Sequence, residues 1–240
     1  MKISIILLAF LAILIFTWHF GLRSAPSRAE TSFLASSSAG PCQASSYVRK
    51  LYLDTPEAGQ AAIKLTEVAK ESPECREEII NALIEALNKA DLQNDDSAFR
   101  LWAKGSGILG ELRAVEALDL LIAHLDLNDG WFSASMVHEP VVGAMEKMGE
   151  VAVPKLAVAL KHNPRKEIRL AAALCLATIG GSEALDALNS ALTSETEECV
   201  RRLITLLLPT PDEKANSKHR VTAHDGEVLR QRILAYRCGN

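Results

Sequence analysis

Gly105-Ser106-Gly107-Ile108-Leu109-Gly110 matches, letter for letter, the glycine fingerprint that lets backbone N–H groups approach a dinucleotide's phosphates. That chemistry needs a strand before the first glycine and a phosphate-facing helix start after it. Here the preceding residues, AFRLWAK at 98–104, carry a helical pattern, so the glycines are expected to serve close helix packing and a hairpin turn. His138-Glu139 joins two metal-ligating side chains, but one pair cannot fill a coordination shell, and solvated helix-start residues are the expectation. His219 and His224-Asp225, five residues apart in a polar tail, are read as loop for the same reason. There is no CxxC pair for zinc or thioredoxin-like redox work, no Gly-x-Ser-x-Gly elbow and no Cys–His nucleophile arrangement. No catalytic residue, metal or cofactor is therefore expected.

The five cysteines are Cys42, Cys75, Cys175, Cys199 and Cys238, and an odd number leaves at least one free or intermolecular thiol. Cys175 and Cys199 fall within apolar helical patterns and read as small buried hydrophobes. Cys42 and Cys75 both lie near the first helical hairpin and are the pair expected to meet in an oxidising compartment.

The elements that would carry these residues are helices. Aromatics are only 5% of the chain, and its apolar content is mainly Ala, Leu, Ile and Val, which suits helix packing better than sheets. Thr55-Pro56-Glu57 and Ser72-Pro73-Glu74 are helix starts, a hydroxyl cap followed by proline in the first turn. The second leads into Ile79, Ile80, Leu83, Ile84 and Leu87, one stripe at three- and four-residue spacing, so 55–90 is expected to be a hairpin. Beyond it the chain repeats. Gly110, Gly149 and Gly180 each end one apolar run and precede another, with Val115, Leu118 and Ile122 matching Leu185, Leu188 and Leu192. The middle copy fits with a one-residue slip through Val153, Leu156 and Leu160. Spacings of 39 and 31 residues suit two-helix solenoid units.

On these residues, above all EIRLAAALCLATIGGSEALDALNSAL at 167–192, the chain resembles the HEAT-like repeat family in its short bacterial form. The resemblance covers about 55–208 and is strongest over 98–193. It implies an all-α fold, a right-handed α-solenoid of four to five stacked helical hairpins with a curved face, whose members mostly bind other proteins. Some HEAT-like metalloenzymes, such as deoxyhypusine hydroxylase, hold iron with His-Glu pairs on several first helices. His138 aligns with Arg169, one position before that family's His, and Pro140 stands where its Glu would be. Thr196–Leu208 would begin a further unit, stopped by Pro209 and Pro211. After a polar stretch, Asp225 begins a segment whose Leu229, Ile233 and Tyr236 would cap the array.

Ile3–Leu22 is a run of twenty uncharged, mostly apolar residues, which as a helix would span about 30 Å, enough for a bilayer core. It exceeds the usual apolar core of a cleaved signal, yet Ser24–Ala29 offers small residues suited to cleavage before Glu30. An uncleaved anchor is favoured over a cleaved signal, and either would export residues 30–240. The expected organisation is a leader over 1–29, a flexible linker over 30–46, repeats over 47–208, a polar linker over 209–224 and a capping helix over 225–240. The first 29 residues carry Lys2, Arg23 and Arg28 and no acid, so the remainder holds 23 basic against 30 acidic side chains. An acidic body disfavours nucleic acid, which needs clustered cations.

The function expected is a non-catalytic scaffold, periplasmic or extracellular, that binds a protein partner along its curved face. Arg113, Glu116, Asp119, Lys155, Glu183 and Asp186 are its solvent-side candidates on the second helices. The stretch around Asp129, Trp131 and Phe132 holds the excess length between Gly110 and Gly149, and its aromatics suit a partner anchor. The competing reading is a hydrophobic staple onto the next helix, which fits Phe132 better than Trp131. The rival function is an enzyme or enzyme subunit, either a metal-dependent oxygenase or a lyase-like partner of the chromophore-attaching kind.

Overall fold

Local signals place the first helices where the sequence puts them. The computed structural model describes residues 42–93, 95–127 and 140–209, and every regular element among them is helical. After α1 (Ala44–Lys50) come α2 (Pro56–Glu71) and α3 (Pro73–Lys89), each with proline in its first turn. Ser72 caps α3 by accepting from the Cys75 N–H at 3.3 Å, whereas Thr55 makes no side-chain cap bond, so at α2 proline alone does the work. Then come α4 (Asp96–Glu111), a 3₁₀ turn (Val115–Ala117) into α5 (Leu118–Ala123), and α6 (Pro140–Met148). A second 3₁₀ turn (Gly149–Ala152) leads to α7 (Val153–His162), then α8 (Lys166–Ile179), α9 (Gly181–Ser194) and α10 (Glu198–Leu207).

These helices form two layers. In one, α2, α4, α6, α8 and α10 each pack against the next. In the other, α3 meets the 3₁₀ turn before α5, α5 packs on α7, and α7 packs on α9. The described residues thus make four hairpins, with α10 starting a further unit. One apolar cluster runs through all of them, from Leu65, Ile79 and Leu83 through Trp102, Leu121 and Met145 to Leu156, Leu176, Leu188 and Ile204. Each hairpin buries its apolar stripe against neighbours, the arrangement that makes repeat stability a sum of units and interfaces.

The three repeat glycines do different jobs. Gly180 adopts φ 70° and Gly149 φ 65°, turn conformations costly for any residue with a Cβ. Gly110 instead lies buried inside α4, where a Cβ would fall 2.7 Å from the Ala144 carbonyl oxygen of α6. It is a packing glycine, and Arg113 makes the turn at φ 48°. There the Ala114 N–H reaches the Leu109 carbonyl and the Arg113 N–H that of Gly110, closing the helix end.

Two expectations need correction. Residues 42–46, assigned to a linker by composition, are structured: Cys42 is buried and α1 begins at Ala44. Cys199 is no buried hydrophobe; it is half-exposed and disulfide-bonded. Cys175 does match, as a buried side chain of the core. Cys42 and Cys75 are joined as expected, with Cα atoms 5.4 Å apart, inside the range of about 4.4–6.8 Å that a disulfide needs. The leader over 1–29 and the capping helix over 225–240 lie outside the described residues.

Candidate binding surface

The outer face of the second layer is built by helical periodicity. Residues i, i+4 and i+7 share a face, so Val115, Asp119 and Ile122 form one stripe on α5 and its 3₁₀ lead-in. Val151, Lys155 and Val158 form the equivalent stripe on α7. A Lys155–Asp119 ion pair joins the two across the repeat boundary. The valines flanking this pair face solvent, with Val115 52%, Val151 43% and Val158 61% exposed. One step toward α3, Arg76 lies 3.7 Å from Glu116, and at the far end of α5 Arg165 pairs with Asp126. Exposed ion pairs of this kind each contribute only ~0–1 kcal/mol to stability. Their more distinctive property is placement, alternating charges and apolar side chains along adjoining repeats.

Three expected site residues, Glu116, Asp119 and Lys155, thus come together on one surface, and Arg113, Glu183 and Asp186 are exposed on the same layer. Asp129, Trp131 and Phe132 lie outside the described residues, as do His138-Glu139, His219 and His224-Asp225. The repeat pattern put Val115 on the apolar stripe, where the structure instead leaves it exposed, and it did not single out Val151 or Val158. Their signal was an apolar residue one step off the buried stripe, at matching places in two repeats.

Little else on the described residues gathers chemistry. A shallow pocket of about 290 Å³ is lined by Ala69, Lys70, Pro73, Arg76, Glu111 and Leu112. Glu111 at its edge is held below the usual carboxylate range by the hydrogen bond from Lys147, so it stays ionised and is no proton donor near neutral pH. His124 packs against Trp102 with ring centroids 4.3 Å apart and the planes tilted by 51°, and burial pushes it below its ordinary 6.5, which keeps the imidazole neutral near neutral pH. Among the described residues no group of three or more His, Cys, Asp or Glu could hold a metal ion. The fingerprint glycines are helical: Gly105 packs on Leu83 and Leu87, and Ser106 donates to the Trp102 and Pro140 carbonyls. No described strand precedes them.

Paired helices in two layers with one continuous core define an all-helical repeat protein. Residues 140–208, from α6 through α10, match the family model of HEAT repeats, and the chain carries HEAT-like repeats. No curated protein matches the chain.

Proposed function

We propose that this chain is a non-catalytic binding scaffold, a right-handed HEAT-like solenoid whose second-layer face takes up a protein partner. The observation that carries this is the paired stripe Val115–Asp119–Ile122 and Val151–Lys155–Val158. Exposed apolar side chains beside a charge pair offer both the contact area and the register that a protein partner reads. HEAT repeats generally suggest interaction scaffolds, which supports the same reading. Asp129, Trp131 and Phe132 sit in the sequence between the two stripes and are proposed to extend the surface, with Trp131 as anchor and Phe132 as staple.

The chain is further proposed to work outside the cytoplasm, held by Ile3–Leu22 or released by cleavage near Glu30. The Cys42–Cys75 disulfide supports an oxidising compartment. Among the described residues no helix is long and apolar enough to cross a membrane, and residues 3–22 lie outside them. Resistance of the full chain to carbonate extraction would support the anchor. A soluble form beginning near Glu30 would establish cleavage.

Partner binding is tested by site-specific photo-crosslinking of the full chain in its own membranes. A photoreactive residue replaces either Val158 or Ile63, which are equally exposed at 61% but lie in opposite layers. A discrete crosslinked protein from position 158, absent from position 63 and lost in Lys155→Glu, is the expected result. Equal crosslinking from both positions would remove the assignment of the second-layer face. Stoichiometric metal in the purified full chain would favour the oxygenase reading instead. Trp131→Ala is expected to weaken binding with little change in melting temperature, and Phe132→Ala to lower that temperature.

A further inference from the structure

The turn between α2 and α3 and the end of α4 enclose the pocket of about 290 Å³. Its walls are of two kinds. Ala69, Pro73 and the buried Leu112 are apolar, whereas Lys70, Arg76 and Glu111 bring charge.

The three charges are not equally committed. Glu111 is matched by Lys147 of α6, 3.0 Å away. Arg76 is fixed at the wall by donating through Nη2 to the Leu112 carbonyl at 2.9 Å. Its Nη1 stands 3.7 Å from Glu116, too far for a hydrogen bond, so that nitrogen keeps donor capacity. Lys70, in the last turn of α2, is exposed and enters no ion pair among the described residues, although its charge helps to hold Glu111 ionised. The pocket therefore pairs an apolar wall with an excess of positive charge.

Volume then limits what enters. Sites that enclose a drug-sized molecule run to ~300–1,000 Å³, so this one has room for little more than a single residue. A carboxylate and a separate aliphatic side chain occur within one residue only at the end of a chain. We propose that the pocket captures the C-terminal residue of a protein partner, with its carboxylate between Lys70 and Arg76 and its aliphatic side chain against Ala69, Pro73 and Leu112. Capture of a chain-terminal carboxylate is one of the recurring ways in which domains read peptides. This capture rests on the scaffold reading and deepens it, but no residue of the valine stripes lines the pocket.

The test uses the full chain and a short, uncharged, fluorescently labelled peptide ending in leucine, followed by anisotropy. Saturable binding is expected for the free acid. The amide of the same peptide should bind about tenfold more weakly or worse, through loss of a charge-assisted contact. A glycine end should also bind more weakly than leucine, and added salt should weaken the free acid but not the amide. Arg76→Gln should reduce binding, but it also removes the bond to Leu112. Lys70→Gln, on an exposed side chain, is the cleaner variant: it should weaken the free acid severalfold with the melting temperature unchanged. Failure of the free acid to saturate overturns the proposal, as does equal binding of acid and amide or an unaltered Lys70→Gln. An amidated peptide with an internal glutamate that binds as well as the free acid overturns the chain-end assignment. Crosslinking from Val158 reads the other surface, so the two readings can fail separately.

Discussion

The first hairpin and the interior repeats face the same packing problem with different neighbours. Among the described elements, helices α2 and α3 have another hairpin on one side and the short α1 on the other. That end is stitched by the Cys42–Cys75 bond, and the Ala44 N–H donates to Glu78 at 3.3 Å. In the interior, α6 to α9 have helices on both sides and no disulfide among them; small side chains such as Ala171, Ala172 and Ala173 let the helices close together. There the connections are knit by one guanidinium. Arg169 donates through Nε and Nη2 to Glu195 at 2.9 and 3.2 Å, and through Nη1 to the Asn163 and Pro164 carbonyls at 2.9 and 3.3 Å. A terminal unit that lacks a two-sided interface is steadied by constraining its unfolded chain, whereas an interior unit draws on contacts in the folded state.

The sharpest way to break this contrast is in the interior. The Arg169 and Glu195 side chains are 14% and 6% exposed, so Arg169→Ala leaves a buried carboxylate without its cation and held by backbone N–H groups alone, and should cost up to ~3–5 kcal/mol, read from urea unfolding. Burial alone pushes the Glu195 carboxyl up, but hydrogen bonds from Arg169 and from the Glu197 and Thr196 backbone outweigh it, and the net position is below 4.5. The folded state therefore holds the ionised form more tightly than the unfolded chain does. This contribution is complete above the unfolded carboxyl's pKa of about 4.3 and is lost as pH falls through the lower folded value. Wild type should lose part of its advantage over Arg169→Ala in that acid window.

At the end of the array, Cys42→Ser should cost ~2–4 kcal/mol, and reductant, which also opens the bond at Cys199, should cost the wild type at least as much. If the contrast is right, amide exchange accelerates in α1–α3 far more than in α6–α9. Uniform acceleration across all hairpins would show that the stitch serves the whole array. Gly110→Ala should cost ~1–3 kcal/mol, because its Cβ meets Ala144 backbone rather than a movable side-chain tip. A double variant with Cys42→Ser should be additive, since the two sites share no partner. Smallest of all, Arg113→Gly should stabilise by ~1 kcal/mol or less, since glycine relieves the left-handed conformation at φ 48°. Thermal unfolding would resolve it.

Periodicity and turn chemistry made the helices readable from the chain alone, because an apolar stripe at 3.6-residue spacing and a proline at a helix start act over a few residues. The hairpin over 55–90, the run that stops before Pro209 and the repeats between arise from such local signals. The Cys42–Cys75 pairing was legible as proximity to one hairpin. What each glycine does was not. Gly110 and Gly180 look alike in sequence, yet one admits Ala144 and the other turns the chain, because close approach depends on a helix more than thirty residues away. The lead-in at 42–46 carries linker-like Ser and Ala, and only the bond to Cys75 and contact with α2 and α3 make it a helix. The same holds for the surface. Asp119 and Lys155 were expected to face solvent from their helical phase, but their pairing, and the valines it sets side by side, arise where the second-layer helices stack. Composition and period acted within each helix; tertiary packing decided which faces adjoin, since those contacts join residues far apart in the chain.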